Sequence, residues 1–267
     1  KRQKNSEKFN FPKKCPSCGS VIIKEFNTTT KKYDAVKRCS SEGYECEKIA
    51  IEKIKHFVSK EALNIDGFGK KVVEKFWDLK LIKFPQDIFK LDYKKIENLD
   101  GWGELSVSNL KYAINKSKNI TLDKFLFSLG IRHIGQENAK LISESLKTIE
   151  NLKNISSKYD FKSFLNIDGI GETQVSSLKK FFSNTTNLDV IIALSEYIKI
   201  IDQEKNSSGK LKNSTFMFTG KLEGISRAEA KSLIEKNSGK ILSNVNSKLN
   251  YLVIGDKPTQ KKVNLAK

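Results

Sequence analysis

A short glycine-containing motif occurs four times in the middle of the chain, each time before a polar run with apolar residues at helical spacing. The final glycines of the four copies lie 34, 32 and 36 residues apart, a period that is typical of a repeated supersecondary unit. The motif therefore predicts four tandem helical hairpins and an all-α body. The copies are Asp66-Gly67-Phe68-Gly69, Asp100-Gly101-Trp102-Gly103, Arg132-His133-Ile134-Gly135 and Asp168-Gly169-Ile170-Gly171.

The spacing of glycines in the motif predicts a turn that can bind an anion. Glycine adopts a left-handed backbone and allows close approach, and amides at a helix N-terminus bind phosphate. We expect the first helices of the hairpins to end near residues 62–64, 96–98, 127–129 and 163–165. We expect the second helices to carry these apolar residues: Val72, Val73, Phe76, Val107, Leu110, Ala139, Ile142, Val175 and Leu178.

Two residues of the repeat have alternative interpretations. His133 stands where the other copies have their first glycine, and it either donates to a phosphate or is an ordinary turn residue. Arg132 beside it would restore phosphate contact by charge. Trp102 either packs against a neighbouring hairpin or lies against a deoxyribose.

The charge of the chain favours a polyanionic partner. The 267 residues carry a net charge of +18, and their hydrophobic content of 38% is sufficient for real cores. The net charge is +8 for residues 1–60, +2 for 61–209 and +8 for 210–267, so the repeats are nearly neutral. Only four of the 49 basic residues are arginine, so codon bias also explains part of the lysine content. No apolar run approaches the ~20 residues of a membrane span.

All four cysteines precede the repeats. Their spacing, Cys-x2-Cys followed by Cys-x6-Cys, suits a tetrahedral structural zinc site, and the alternatives are two disulfides or four free thiols. Four cysteine ligands would leave no open position for catalysis. The candidate zinc ligands are Cys15, Cys18, Cys39 and Cys46.

The sequence changes character after the repeats. Residues 202–213 are polar and predict a flexible linker. Beyond it, strands are expected at Ser214–Thr219, Lys240–Ser243 and Tyr251–Ile254, with a helix at Arg227–Lys236. This order indicates a small α/β domain with a parallel sheet, and we expect no further helix before Lys267.

The motifs together resemble the C-terminal portion of bacterial NAD-dependent DNA ligases. The resemblance covers residues 9–267 and rests on FPxxCPxCG at Phe11–Gly19, HFVSKEALNIDGFG at His56–Gly69, SLGIRHIG at Ser128–Gly135 and FTGKL at Phe218–Leu222. It implies a multidomain, mainly α chain: a basic lead-in (1–12), a small four-cysteine zinc finger with a junction helix (13–60), four helix-hairpin-helix repeats (61–201), the linker (202–213) and an apparently incomplete α/β BRCT-like domain (214–267).

The resemblance also implies functional residues and partners. The hairpin residues expected to face DNA phosphates are Gly67, Gly69, Gly101, Gly103, Arg132, His133, Gly135, Gly169 and Gly171. The expected partner is nicked double-stranded DNA, bound without sequence preference. NAD and Mg²⁺ would be bound by the longer protein outside this chain, where the resemblance places nucleotidyltransferase and OB domains. A cytoplasmic, nucleoid-associated location is expected.

The chain itself shows no catalytic motif. The Lys-x-Asp-Gly motif that takes AMP from NAD in this family is absent, and no dinucleotide-binding loop follows a strand. The sole Met is Met217, and no signal peptide is visible, so we expect the chain to be part of a longer protein. Two other interpretations remain: a non-catalytic repair scaffold, and an excision-nuclease subunit with tandem hairpins.

Overall fold

The computed structural model describes residues 10–27, 31–201, 209–242 and 244–266. The chain divides into two compact units, one ending at Asp202 and one beginning at Gln203. Most of the predicted lead-in and residues 202–208 of the predicted linker lie outside the described residues. None of the helices within the described ranges has the length and apolar character needed to span a bilayer.

The first unit opens with a cysteine module, defined here as residues 10–27 and 31–46. The module contains two antiparallel ribbons of two strands each. Each strand has only two residues. The pairs are Ile22–Ile23 (β1) with Arg38–Cys39 (β4), and Phe26–Asn27 (β2) with Lys32–Tyr33 (β3).

A helical body follows the cysteine module. Short 3-10 helices at Pro85–Lys90 and Lys162–Asn166 interrupt the α-helices. The α-helices are Glu47–Phe57 (α1), Lys70–Asp78 (α2), Tyr93–Glu97 (α3), Glu104–Lys116 (α4), Leu122–Ser128 (α5), Gln136–Leu146 (α6), Ile149–Lys158 (α7), Glu172–Phe182 (α8) and Thr185–Ser195 (α9).

One parallel strand pair joins the middle of the helical body to its end. Asn119–Thr121 (β5) pairs with Lys199–Ile201 (β6), so the chain returns to its own centre after α9. A single apolar core runs through the body, and its fully buried side chains include several phenylalanines. These are Phe57, Phe68, Phe76, Phe161, Phe164 and Phe182.

The second helix of each hairpin forms as its apolar spacing predicts. In α8, Val175, Leu178 and Phe182 are buried at helical spacing, and the polar residues between them face outward. The expected apolar residues of α2, α4 and α6 are also buried, except Val72, which packs partly buried against the same core. The prediction of amphipathic second helices is confirmed.

The predicted ends of the first helices hold for the second and third hairpins, lie within one residue for the fourth, and fail for the first. The first helix was expected to reach residues 62–64, but α1 ends at Phe57. The carbonyl of Ser59 accepts from the amides of Ala62 and Asn64, and Asn64 has φ +50°, so a tight turn replaces the helix. In the fourth hairpin the expected helix is the 3-10 segment, which ends at Asn166.

The second unit is a small three-stranded parallel sheet with two helices. The central strand Thr215–Thr219 (β7) lies between Lys240–Ile241 (β8) and Tyr251–Ile254 (β9). The helix Arg227–Lys236 (α10) connects β7 to β8 and has the predicted bounds. Its core is built on Phe216, Phe218, Ala230 and Ile234.

Two details of the second unit differ from the sequence-based expectation. A helix at Gln260–Ala266 (α11) follows β9, so the prediction that no further helix forms was wrong. The residues that were assigned to the end of the linker also belong to this unit. Leu211 packs against the core of the second unit. Its amide donates to the Asn237 carbonyl at 3.0 Å.

Candidate nucleic-acid interface and metal centre

The four glycine motifs form turns with the same backbone hydrogen bond. In each turn the amide of the third motif residue donates to the carbonyl of the apolar residue before the motif, at 3.0 to 3.1 Å. The turns are numbered here from first to fourth along the chain. The donor and acceptor pairs are Phe68 and Ile65, Trp102 and Leu99, Ile134 and Ile131, and Ile170 and Ile167.

The second motif residue adopts a left-handed backbone in every turn. Gly67 and Gly101 have φ +79°, and Gly169 has φ +93°. His133 has φ +60°, so the third turn keeps the same backbone with a residue that adopts it at a cost. His133 therefore departs from the glycine pattern in sequence but has the same backbone conformation as the glycines.

The last motif glycine has a different role, because it precedes the second helix as its N-cap. Gly69, Gly103, Gly135 and Gly171 have extended backbones, with φ between −71° and −149°. Any residue can adopt this conformation. A Cβ at Gly69, Gly103 or Gly135 would meet no atom of the chain within 4 Å, and at Gly171 only a side-chain atom, Gln174 Oε1, at 3.4 Å.

The open space at these N-caps is informative about function. Neither backbone conformation nor internal packing requires glycine at Gly69, Gly103 or Gly135. Glycine also lets an outside partner approach the backbone closely. The amides in the first turn of the following helix have no intrahelical partner and favour an anion. The arrangement suits a phosphate held by backbone amides.

Side chains complete two of these caps. Ser106 Oγ accepts from the Gly103 amide at 2.9 Å, and Gln174 Oε1 accepts from the Gly171 amide at 3.1 Å. These bonds fix the start of α4 and α8. The second and fourth turns are therefore preorganised before any partner arrives.

Trp102, at the tip of the second turn, is half-buried. Its ring lies 5.4 Å from the Phe76 ring of α2, and the side chain packs against the main core. The contact favours the first of the two interpretations, packing against the neighbouring hairpin. Trp102 thereby holds the first two turns next to each other.

The polar side chains of the third turn contact protein. Arg132 Nη2 lies 2.6 Å from Glu25 Oε2 and 3.2 Å from Asp34 Oδ2, both in the cysteine module. His133 Nδ1 lies 3.0 Å from Ser177 Oγ of α8. Burial lowers the pKa of His133, and the charge of Arg132 lowers it further. Phosphate contact by Arg132 and His133 stays a prediction.

The four cysteines come together at one point. Their Sγ atoms all lie within 4.8 Å of one another, and no disulfide joins them. Cys46 is the buried N-cap of α1, Cys39 ends β4, and Cys15 and Cys18 lie in a tight loop. Although six residues separate Cys39 from Cys46 in the sequence, the Sγ atom of Cys46 lies 4.0 Å from that of Cys15.

The cysteine loops have the backbone of a metal knuckle. The Cys15 amide donates to the Ser20 carbonyl at 2.7 Å, and the Gly19 amide donates to the Cys15 carbonyl at 2.8 Å. Gly19 has φ +75°, which favours glycine at this position. Hydrogen bonds from Ser20 and Ser41 lower the pKa of Cys18 to about 5, which favours the thiolate that a metal requires. Four sulfur donors at this spacing could hold a metal ion.

Sequence reasoning did not identify Glu25 and Asp34 as partners of Arg132. Asp34 and Arg132 are separated by 98 positions, and no local spacing connects them. The available signal was weak: two acidic residues lie on either side of a short ribbon, and one of only four arginines lies in the turn that lacks a glycine.

Comparison with known families agrees with this geometry. Residues 124–191, which include the third and fourth turns, match the model described as helix-hairpin-helix motif. Residues 206–267 match the BRCA1 C Terminus (BRCT) domain. The fold and the sites thus define a chain of helix-hairpin-helix repeats with a four-cysteine cluster and a BRCT domain.

The whole chain is similar to proteins named DNA ligase. It is 65% identical to the one from Pelagibacter ubique over 100% of its length, and it covers 40% of that protein. It is 40% identical to the one from Wolbachia pipientis wMel and 37% identical to the one from Sulfurihydrogenibium azorense, in each case over 97% of this chain. The chain spans 36% to 40% of the length of these curated relatives. It corresponds to the C-terminal portion of a bacterial DNA ligase.

Proposed function

We propose that this chain is the DNA-gripping portion of an NAD-dependent DNA ligase, and that it holds nicked duplex DNA for strand joining in replication and repair. The observation that carries the proposal is the row of N-cap glycines whose surroundings are open. Open backbone at three helix N-termini, and a single side-chain atom 3.4 Å from the Cβ position of the fourth, are suited to phosphates on a duplex backbone. The relatives named DNA ligase support the same assignment.

In the proposed mode, the hairpins contact phosphates and leave the bases unread. The repeats carry little net charge, whereas residues 1–60 and 210–267 each carry +8. Backbone amides would therefore position the duplex, and the flanking lysines would supply long-range attraction. Binding is then independent of sequence and falls steeply with salt.

The four cysteines would hold a structural Zn²⁺ ion. Zinc is favoured because a set of four thiolates suits it. Its role would be structural because such a set leaves no open coordination position. The metal would tie the loop of Cys15 and Cys18 to β4 and to the start of α1. Its role would be to fold the cysteine module, which joins the hairpins to the preceding part of the protein.

The chemistry of strand joining would lie elsewhere in the longer protein. A lysine that accepts AMP from NAD, and groups that bind Mg²⁺, would belong to nucleotidyltransferase and OB domains outside this chain. The domain boundaries would be residues 13–60 for the zinc finger and junction helix, 61–201 for the hairpin repeats, 202–213 for the linker and 214–267 for the BRCT-like domain. The protein would act in the cytoplasm on the nucleoid.

A binding titration tests the proposal. A labelled nicked duplex in two unrelated sequences is titrated with the chain at about 50 mM and about 200 mM salt. The proposal predicts equal dissociation constants for the two sequences and a loss of affinity of about tenfold or more at the higher salt. Binding that differs strongly between sequences, or that salt does not change, would contradict it.

A further inference from the structure

The side chains of the third turn take part in a continuous chain of hydrogen bonds and ion pairs. At one end, Arg132 Nη2 lies 2.6 Å from Glu25 Oε2 and 3.2 Å from Asp34 Oδ2. In the middle, Arg132 Nε donates to His133 Nε2 at 3.3 Å. At the other end, His133 Nδ1 lies 3.0 Å from Ser177 Oγ. The chain joins the cysteine module, the third hairpin and the second helix of the fourth hairpin.

The direction of the hydrogen bonds is internally consistent. The Ser177 hydroxyl donates to the Thr173 carbonyl at 2.9 Å, so its oxygen can accept from His133 Nδ1. A neutral imidazole that carries its proton on Nδ1 has an acceptor at Nε2. That acceptor is where Arg132 Nε donates. Burial and the Arg132 charge lower the pKa of His133, which favours the neutral ring.

The ribbon that supplies the two carboxylates has two different faces. Phe26 and Tyr33 are paired across β2 and β3, and their rings contact edge to face at 5.0 Å on the exposed side. Side chains alternate along a strand, so the neighbouring residues Glu25 and Asp34 lie on the opposite side. That side is the one that meets Arg132. The acidic groups of the ribbon are thus used within the chain.

We propose that Arg132 and His133 are positioning residues, which fix the cysteine module and the fourth hairpin on the third hairpin and do not themselves contact DNA. This inference rests on the proposed function and reassigns two residues that the sequence pattern gave to phosphate contact. The two carboxylates and His133 already occupy the Nη2 and Nε donors of Arg132 and balance its charge, which leaves only Nη1 for a phosphate. The backbone at Gly135 stays open, so the third turn keeps its amides for DNA.

The two possible roles of Arg132 predict opposite effects of removing its partners. If Arg132 contacted DNA directly, the double variant Glu25→Gln/Asp34→Asn would release it and tighten binding. If it is a positioning residue, the same variant loosens the cysteine module on the third hairpin and weakens binding. The loss of two negative charges needs a matched control, and Glu144→Gln/Glu150→Gln removes the same charge from exposed positions of α6 and α7.

The first experiment measures the dissociation constant of the chain for a nicked duplex. Relative to the control pair, Glu25→Gln/Asp34→Asn is expected to weaken binding by about threefold, as partly exposed ion pairs allow. Arg132→Ala is expected to have a similar effect. The triple variant should be little weaker than Arg132→Ala alone, because both changes break one network and the further pair of Asp34 with Arg38 is exposed and 3.9 Å long. Tighter binding by the double variant would overturn the proposal.

The second experiment follows hydrogen exchange in the free protein, where DNA contact plays no part. Arg132→Ala should speed amide exchange in the β2–β3 ribbon and at the start of α8, and Arg132→Lys should restore part of the protection. Unchanged exchange in both segments would overturn the network. Faster exchange without any change in affinity would overturn the positioning role. If the unaltered chain does not bind nicked DNA, the proposed function fails, while the exchange comparison still tests the network.

Discussion

The ammonium nitrogen of Lys53 lies 4.7 Å from the centre of the Tyr44 ring. The same nitrogen donates to Asn187 Oδ1 at 3.3 Å and lies 5.6 Å from the centre of the Phe181 ring. Tyr44 belongs to the cysteine module, Lys53 to α1 and Asn187 to α9, so one side chain joins three parts of the first unit. Burial lowers the pKa of Lys53 to about 8, although the charge of Glu42 opposes the shift.

The lowered pKa of Lys53 predicts a pH-dependent stability. Between pH of about 8 and about 10.4, the unfolded chain holds a proton on Lys53 that the folded chain has lost. The free energy of unfolding therefore rises with pH across this window. Below pH of about 8, Lys53 is charged in both states, and the folded chain bears the full cost of burying that charge. The melting temperature of the unaltered chain, relative to Lys53→Met, should rise between pH of about 8 and about 10. A constant difference would contradict the lowered pKa.

The two glycines of the first turn should respond differently to alanine. Gly67 has φ +79°, where alanine costs about 1 kcal/mol or more. Gly69 has φ −71° and open space around its Cβ position, so alanine should cost less stability there than at Gly67, through its poorer N-cap preference alone. Gly69→Ala should instead weaken binding of a nicked duplex by a few-fold, because a methyl group blocks close approach.

Thermal melting and DNA titration of both variants test this contrast. Gly67→Ala should lower the melting temperature more than Gly69→Ala does. If Gly69→Ala binds DNA as tightly as the unaltered chain, the N-cap glycine of the first turn has no role in phosphate contact.

The repeated units were predictable because local chemistry defines them. Glycine at a left-handed position and apolar residues at helical spacing act within about ten residues, and the resulting turn recurs in all four copies. The cysteine cluster was predictable for a similar reason, since four thiols in two pairs suit one metal site. The α/β order of the second unit followed from apolar strands near Phe216 and Leu252.

Other features depend on contacts that no local pattern contains. The ion pair of Arg132 and Asp34 joins residues 98 positions apart. The turn after α1 is closed by backbone hydrogen bonds from the Ala62 and Asn64 amides to the Ser59 carbonyl, which the helical spacing of apolar residues does not predict. The helix α11 was missed because Gln260–Ala266 has few apolar residues, and none of them is buried.

The cysteine cluster should bind zinc. The purified chain is expected to contain about one equivalent of zinc, and Cys18→Ser should reduce that content strongly, since four thiolates complete the shell. Ser20→Ala is a milder test, because it removes a hydrogen bond that lowers the pKa of Cys18 without removing a ligand. Metal analysis that finds less than about half an equivalent in the unaltered chain would contradict the zinc assignment.

A buried hydroxyl should matter for the BRCT domain. Thr219 is 2% exposed, and its Oγ1 accepts from the Thr259 amide at 3.0 Å. Thr219→Val keeps the shape but removes the acceptor of the Thr259 amide, so it should destabilise the second unit by about 0.5 to 1.5 kcal/mol. Thr219→Ser keeps the hydroxyl and serves as the control. Equal stability of the two variants in urea unfolding would contradict the role of this bond.

The hairpins are proposed to grip DNA through the backbone at the N-caps of four helices, three of which are open and one of which has a single side-chain atom nearby. The most direct test is the dissociation constant for a nicked duplex of a variant with alanine at Gly69, Gly103, Gly135 and Gly171. Because these positions are extended and meet no clash with backbone atoms, the variant should fold, with a melting temperature lowered only by the poorer N-cap preference of alanine. The account predicts binding that is weaker by about tenfold or more. A folded variant that binds as tightly as the unaltered chain would contradict it.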